Sequence, residues 1–310
     1  MFGKNLVVDM INRSAENEAD RRSFLRAAGL AGLGVVGSTA LAGVSLPASA
    51  VPNPVISDGA ILNFALNLEY LEAEFYLFAV YGRGLSSADI DGTGKLGGVT
   101  GGRQVRFKSR AVREYAEEIA ADELAHVKFL RSALGTAKVS RPAIDLKGSF
   151  TAAARAAGLI NSQQTFDPFR NENNFLLAAF LFEDVGVTAY KGAAPLIDNK
   201  DYLEAAAGIL AVEAYHAGII RTSLFSKGLY KEVEKLSGAR DSLDGKSDDD
   251  QGIGRRKSGN LVPTDKFSIA YSRTPANVLN IVYLTPTAVT KGGFFPAGVN
   301  GDINTSNANA

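Results

Sequence analysis

Two short motifs constrain this chain more than anything else in it. Its only two histidines, His126 and His216, each close the same step, Glu123-Leu-Ala-His126 and Glu213-Ala-Tyr-His216. On a helix, residues three apart share one face a turn apart, so each step presents a carboxylate beside an imidazole. That is a metal-ligand geometry. Four-helix bundles that hold two metal ions take such a pair from each of two helices and one glutamate from each of the other two. The chain should therefore carry two more inward-facing glutamates on two more helices.

Composition narrows the metal. There is no cysteine, which excludes disulfides, zinc–thiolate sites and iron–sulfur clusters and leaves imidazole nitrogen and carboxylate oxygen, donors suited to iron or manganese. Across 310 residues Lys and Arg balance Asp and Glu at 33 each. With no basic cluster in the body, this argues against a nucleic-acid partner, whose phosphates demand concentrated positive charge.

Residues 1–50 read as an address. Arg21-Arg22-Ser23-Phe24-Leu25-Arg26 precedes an apolar Ala- and Gly-rich run that ends in Ala48-Ser49-Ala50, a small-x-small cleavage pattern. The cluster from Asp20 to Leu25 resembles a twin-arginine export signal, with Asp20 standing where Ser or Thr is commonest. An uncut membrane anchor is the other reading, but the run is short for a span. Cleavage would leave a near-neutral, exported protein with no membrane attachment.

The first helix is expected over 58–81, capped by Ser57 or Asp58. Leu62, Leu66, Glu69, Ala73, Tyr76 and Val80 form one stripe at helical spacing, and Glu69 is its only acid. An acid in a buried stripe is costly unless a cation faces it, which makes Glu69 the third candidate ligand. Glu72 is the runner-up on that helix, and Glu74 is expected to be solvated. Residues 82–102 hold eight glycines and read either as a tolerant surface loop or as a lid.

A second helix, expected over 103–134, carries Glu123 and His126 and stops at Gly135. Residues 136–170, broken by Pro142 and Pro168 and with a short helix at 150–157, are long enough to cross the bundle. The third helix, expected over 171–193, presents Glu183, the fourth candidate, with Tyr190 seven residues on, as Tyr76 follows Glu69. The fourth, expected over 200–225, carries Glu213 and His216 after a short turn, which implies an antiparallel pair. Tyr76 and Tyr190 are either core packing or groups that support the metals from an outer shell and in redox steps. In the tail, 229–310, no helical periodicity is evident. The acids between Asp241 and Asp250 lack calcium-loop spacing and read as a solvated turn. The apolar segments 267–271 and 278–284 should pack on the bundle or on a neighbouring subunit of a homo-oligomer, and 301–310 should be disordered.

With these motifs in view, residues 57–227 resemble the ferritin-like superfamily. Asn67-Leu68-Glu69 with Tyr76 is similar to the first-helix motif of ferritins, and the chain with its tail resembles the ferritin-like family of desiccation-related proteins. The resemblance implies an all-α, up-down-down-up bundle over 51–228 with one long crossover, and di-iron ligands Glu69, Glu123, His126, Glu183, Glu213 and His216. The second Glu-x-x-His is a departure from storage ferritins, which lack that histidine. It is more similar to bacterioferritin, rubrerythrin and other symmetric di-iron proteins, and it speaks against cage-type iron storage. The expected activity is an exported di-metal oxidase or peroxidase, with two Fe ions, O2 or H2O2 as substrate, and Glu69 or Glu183 bridging the metals. Two Mn ions with catalase activity, or a structural stress protein without catalysis, are the alternatives.

Overall fold

The computed structural model describes residues 56–247 and 249–309, so the export-signal reading of 1–50 lies outside the described residues. Ser57 opens the body: its hydroxyl accepts from the Ala60 N–H and starts α1 (Asp58–Tyr81), which ends at Gly82 in the left-handed conformation at φ 69°. The other bundle helices are α2 (Arg110–Leu134), α4 (Glu172–Ala193) and α5 (Lys200–Ser226), capped by Ser109, Asn171 and Asn199. Between α2 and α4 lies the short α3 (Gly148–Ala156).

Side-chain bonds at the helix ends set the directions. Asn63, near the start of α1, holds Ala137 and Val139 beyond the end of α2, so α1 and α2 run antiparallel. Asp58 accepts from the N–H groups of Asp198 and Asn199, placing the α4–α5 turn beside the start of α1. Glu172, the first residue of α4, accepts from Lys108 and Ser109 just before α2, so α2 and α4 are parallel. The order is up-down-down-up, and the segment between α2 and α4 travels the bundle's length. The fold is an all-α bundle of the ferritin-like architecture.

Several boundaries depart from expectation. α2 begins at Arg110, not 103, because 103–109 runs extended along the end of α1, with Val105 N–H on Ala79 O at 2.8 Å. The glycine-rich loop pairs with the crossover, where β1 (Val99–Thr100) lies parallel to β2 (Ile144–Asp145). That pairing buries Glu74, which is fully buried and not solvated: Arg141 from the crossover pairs with it and the Leu85 N–H donates to it at 3.2 Å.

The tail is the largest correction. It contains two helices, α6 (Tyr230–Asp241) and α7 (Pro275–Tyr283), and a small hairpin of β3 (Gly254–Arg255) with β4 (Ser258–Gly259). α6 buries only Val233, Leu236, Ser237 and Arg240, too few apolar residues for a periodic pattern to show. Both helices pack on α4 of their own chain. Residues 301–309 are ordered by amide bonds, Asn307 and Asn309 meeting Asn280 of α7 at 2.9–3.0 Å. Phe294 of the tail joins Phe150 and Phe182 at ring separations of 4.9 and 5.0 Å, fusing tail, crossover and bundle into one core.

The acidic turn is likewise internal. Asp244 and Asp250 are buried and bind Arg273, while Arg240 spans Asp250 and Asp184 at 2.7 and 2.9 Å. Arg221 of α5 meets Asp184 at 2.7 Å, and Arg273 also reaches the Thr188 hydroxyl at 2.9 Å. Three fully buried arginines thus tie the tail to α4 and α5. Removing one partner of such a network strands the opposing charges without solvent. Arg273→Ala is therefore expected to lower unfolding stability by about 3–5 kcal/mol, read from urea denaturation; a loss below 1 kcal/mol would contradict this account of the tail.

Candidate metal centre

The four bundle helices bring Glu69 (α1), Glu123 and His126 (α2), Glu183 (α4) and Glu213 and His216 (α5) together at mid-height, all buried. They form two overlapping groups. Glu69, Glu123, His126 and Glu213 make one, and Glu123, Glu183, Glu213 and His216 make the other. His126 Nδ1 stands 3.3 Å from Glu69 Oε2, 3.5 Å from Glu123 Oε2 and 3.8 Å from Glu213 Oε1. His216 Nδ1 stands 3.1 Å from Glu123 Oε1 and 3.5 Å from Glu183 Oε2. The two oxygens of Glu123 therefore face different groups. The position shared between the groups belongs to Glu123 and Glu213, not to Glu69 or Glu183, and the two Glu-x-x-His helices, α2 and α5, pack beside each other.

The tyrosines are clamps. Tyr76 of α1 donates to Glu183 Oε1 of α4, and Tyr190 of α4 donates to Glu69 Oε1 of α1. Each hydroxyl occupies one oxygen of a carboxylate and leaves the other, Oε2, facing inward. Of the fifteen buried side-chain atoms without a hydrogen bond among the described residues, eight lie in this one cluster: one oxygen each from Glu69 and Glu183, both from Glu123 and Glu213, and Nδ1 of each histidine. Buried polar atoms are rarely left so. All eight belong to the two groups, and four carboxylates balance the charge of two divalent cations. By donor chemistry, charge and orphaned atoms, the residues fit two metal ions.

Two acids complete the surroundings. Asp122, 41% exposed, lies 3.0 Å from His216 Nε2. A carboxylate only accepts, so Nε2 carries a proton, and once the imidazolium gave up its inner proton Nδ1 would present its lone pair to a metal. Asp122 was not singled out in the sequence; its signal was its place directly before Glu123. Glu72 is buried beside the groups and makes no hydrogen bond or ion pair among the described residues. Gly186, three residues after Glu183, leaves room for a shared carboxylate: a Cβ there would lie 2.4 Å from Glu213 Oε2.

Electrostatics in the metal-free cluster are governed by desolvation against pairing. Burial would push the imidazoliums down, but the carboxylates outweigh it and hold His126 at about 10 and His216 at about 12. Burial raises Glu69 to about 7, moderated by His126. Burial would raise Glu123 too, yet both histidines bring it to about 2. Glu72 is driven well above the carboxylate range by burial, then by the charges of Glu123, Glu183 and Glu69. Two imidazoliums thus stand where two cations would.

With the geometry established, a family model describing a ferritin-like domain matches residues 57–226. The chain belongs to the ferritin-like family. It is 31% identical to the desiccation-related protein PCC13-62 of Craterostigma plantagineum over 264 residues, covering 79% of this chain and 83% of the relative. It is 27% identical to the ferritin-like catalase Nec2 of Nesocodon mauritianus over 267 residues, covering 80% and 85%. No solved structure matches it significantly.

Two outcomes are expected. Gly186→Ala displaces Glu213 and lowers metal content below that of the unaltered protein, measured by elemental analysis after reconstitution; unchanged content would show the glycine is not required. Because both imidazole pKa values lie above the neutral range, metal must expel their protons, and apparent affinity rises with pH between 6 and 8. Roughly two protons or more leave per pair of ions, measurable by calorimetry in buffers of differing ionisation enthalpy; pH-independent binding would refute the ligand assignment.

Proposed function

We propose that this chain is a di-metal oxidoreductase that consumes H2O2 or O2 in protection against oxidative or drying stress. The observation that carries the reading is the convergence of eight hydrogen-bond-free buried donor atoms from four glutamates and two histidines into two overlapping groups. Two irons are the assigned metals and two manganeses the alternative, since both accept this nitrogen and oxygen set. When bound, they would supply reversible redox change and a Lewis-acidic surface for a small oxidant.

The protein's own contribution is holding and exclusion. Tyr76 and Tyr190 fix the orientation of Glu183 and Glu69, and Asp122 fixes the tautomer of His216. The cavity bordered by Glu69, Glu72, Gly186 and Tyr190 has a volume of about 20 Å³, space for a molecule the size of water. This supports a substrate as small as H2O2, and the relative named a ferritin-like catalase supports peroxide disproportionation, two H2O2 giving O2 and two H2O. The twin-arginine-like segment supports action outside the cytoplasm, with metal loaded before export.

The relative named a desiccation-related protein favours a second reading, a stress protein whose bundle is structural. Anaerobic ferrous loading followed by air separates the two. The first reading expects an oxo-bridged diferric absorption band and peroxide consumption by the iron- or manganese-loaded protein. Glu123→Ala should then lose metal and lower turnover by about 100-fold or more, since even outer-shell changes at metal sites cost about 10–100-fold. A loaded protein that consumes neither oxidant, and whose protective effect survives joint replacement of His126 and His216, would establish the structural reading instead.

A further inference from the structure

The two helical hairpins are related by exchange: Glu69 corresponds to Glu183, Glu123 to Glu213, His126 to His216 and Tyr76 to Tyr190. The crossed tyrosine bonds obey the same exchange. If the exchange were complete, the two metal positions would be equivalent. It fails at two places next to the ligands, and the one that touches a ligand adds an acid on the His216 side.

The residue before the Glu-x-x-His step is Asp122 on α2 but Val212 on α5. His216 therefore has a carboxylate on its outer nitrogen at 3.0 Å. His126 has no hydrogen bond to its outer nitrogen among the described residues, and the residue in the corresponding place carries no polar atom. The residue three after the α1 or α4 glutamate is Glu72 on α1 but Gly186 on α4. Glu72 is buried beside the groups, where its α4 counterpart carries no side chain. An acid cannot take the corresponding place on α4, because Glu213 Oε2 already fills it. A carboxylate behind a ligating imidazole makes that imidazole a stronger donor and fixes its ring, and its loss costs about 10–100-fold in metal affinity.

We infer that the two positions are inequivalent, the one built from Glu183, His216 and the shared pair filling first and more tightly, the one built from Glu69, His126 and the shared pair filling second. The inference rests on the two-metal reading above and adds an order of loading, with Asp122 as the positioning residue.

Titration of the metal-free full-length chain with Mn2+, followed by low-temperature electron paramagnetic resonance and by calorimetry, tests it. The first equivalent should give the six-line signal of an isolated ion, and an exchange-coupled signal should replace it only as the second is added. Asp122→Asn should weaken the first step by about 10–100-fold, so that the two steps merge and isolated and coupled signals grow together. Val212→Asp should strengthen the second. Asp122 is partly exposed, so its variant should fold, checked by thermal unfolding, and a conservative Asp122→Glu should restore part of the separation. A coupled signal from the first addition, or an Asp122→Asn protein whose first step is unchanged while its second weakens, overturns the order of loading and leaves the two-metal reading standing. Absence of any Mn2+ binding by the unaltered chain overturns both.

Discussion

Four carboxylates buried within one bundle layer are the interaction on which the rest of this structure depends. Glu123, Glu183 and Glu213 are fully buried and Glu69 nearly so. Each desolvated charge costs several kcal/mol, and mutual repulsion adds to that. Such a layer is relieved by positive charge at its centre, imidazolium in the metal-free state and cations otherwise, and by protonation, toward which burial drives Glu69, Glu183 and Glu213. The helices can then be read as devices for holding acids against their own repulsion. The crossed tyrosine bonds reach from each hairpin into the other, so separating the hairpins would break the clamps and the charge balance together.

The same electrostatic logic operates a second time, away from the centre. Asp184, directly after the candidate ligand Glu183, points the other way and is held by Arg221 and Arg240. That network continues through Asp250 to Arg273 and thereby to the tail. The tail is consequently part of the same core, supplying Ile281, Val282 and Phe294 to the wall beside Glu69 and Glu72. Water is kept from this side of α1 and α4 by residues from much later in the chain. An apolar wall on this side strengthens every charge interaction behind it.

Much of the site was legible in the chain itself. The helical period forces residues three apart onto one face, so Glu123 with His126 and Glu213 with His216 had to be paired donors. An acid within an otherwise apolar stripe marked Glu69, and the acid ending the apolar run Phe175–Phe182 marked Glu183. Glu74 misled because its angular position on α1 pointed away from the ligands. Whether that direction led to water depended on Arg141, sixty-seven residues later. The tail misled because α6 buries only two apolar residues, Val233 and Leu236, and α7 is nine residues long, too short for an apolar stripe to repeat over several turns.

What the sequence by itself determined is the donor set: two imidazoles, four glutamates and no thiolate, spaced so that helices must present them inward. Spacing within a helix is fixed by covalent geometry and needs no partner. Only the tertiary structure decided which carboxylates are shared, which tyrosine clamps which glutamate, and that Asp122 stands behind His216. Those relations depend on the rotation and separation of helices that meet from distant parts of the chain, and side-chain packing between helices, not local periodicity, sets both.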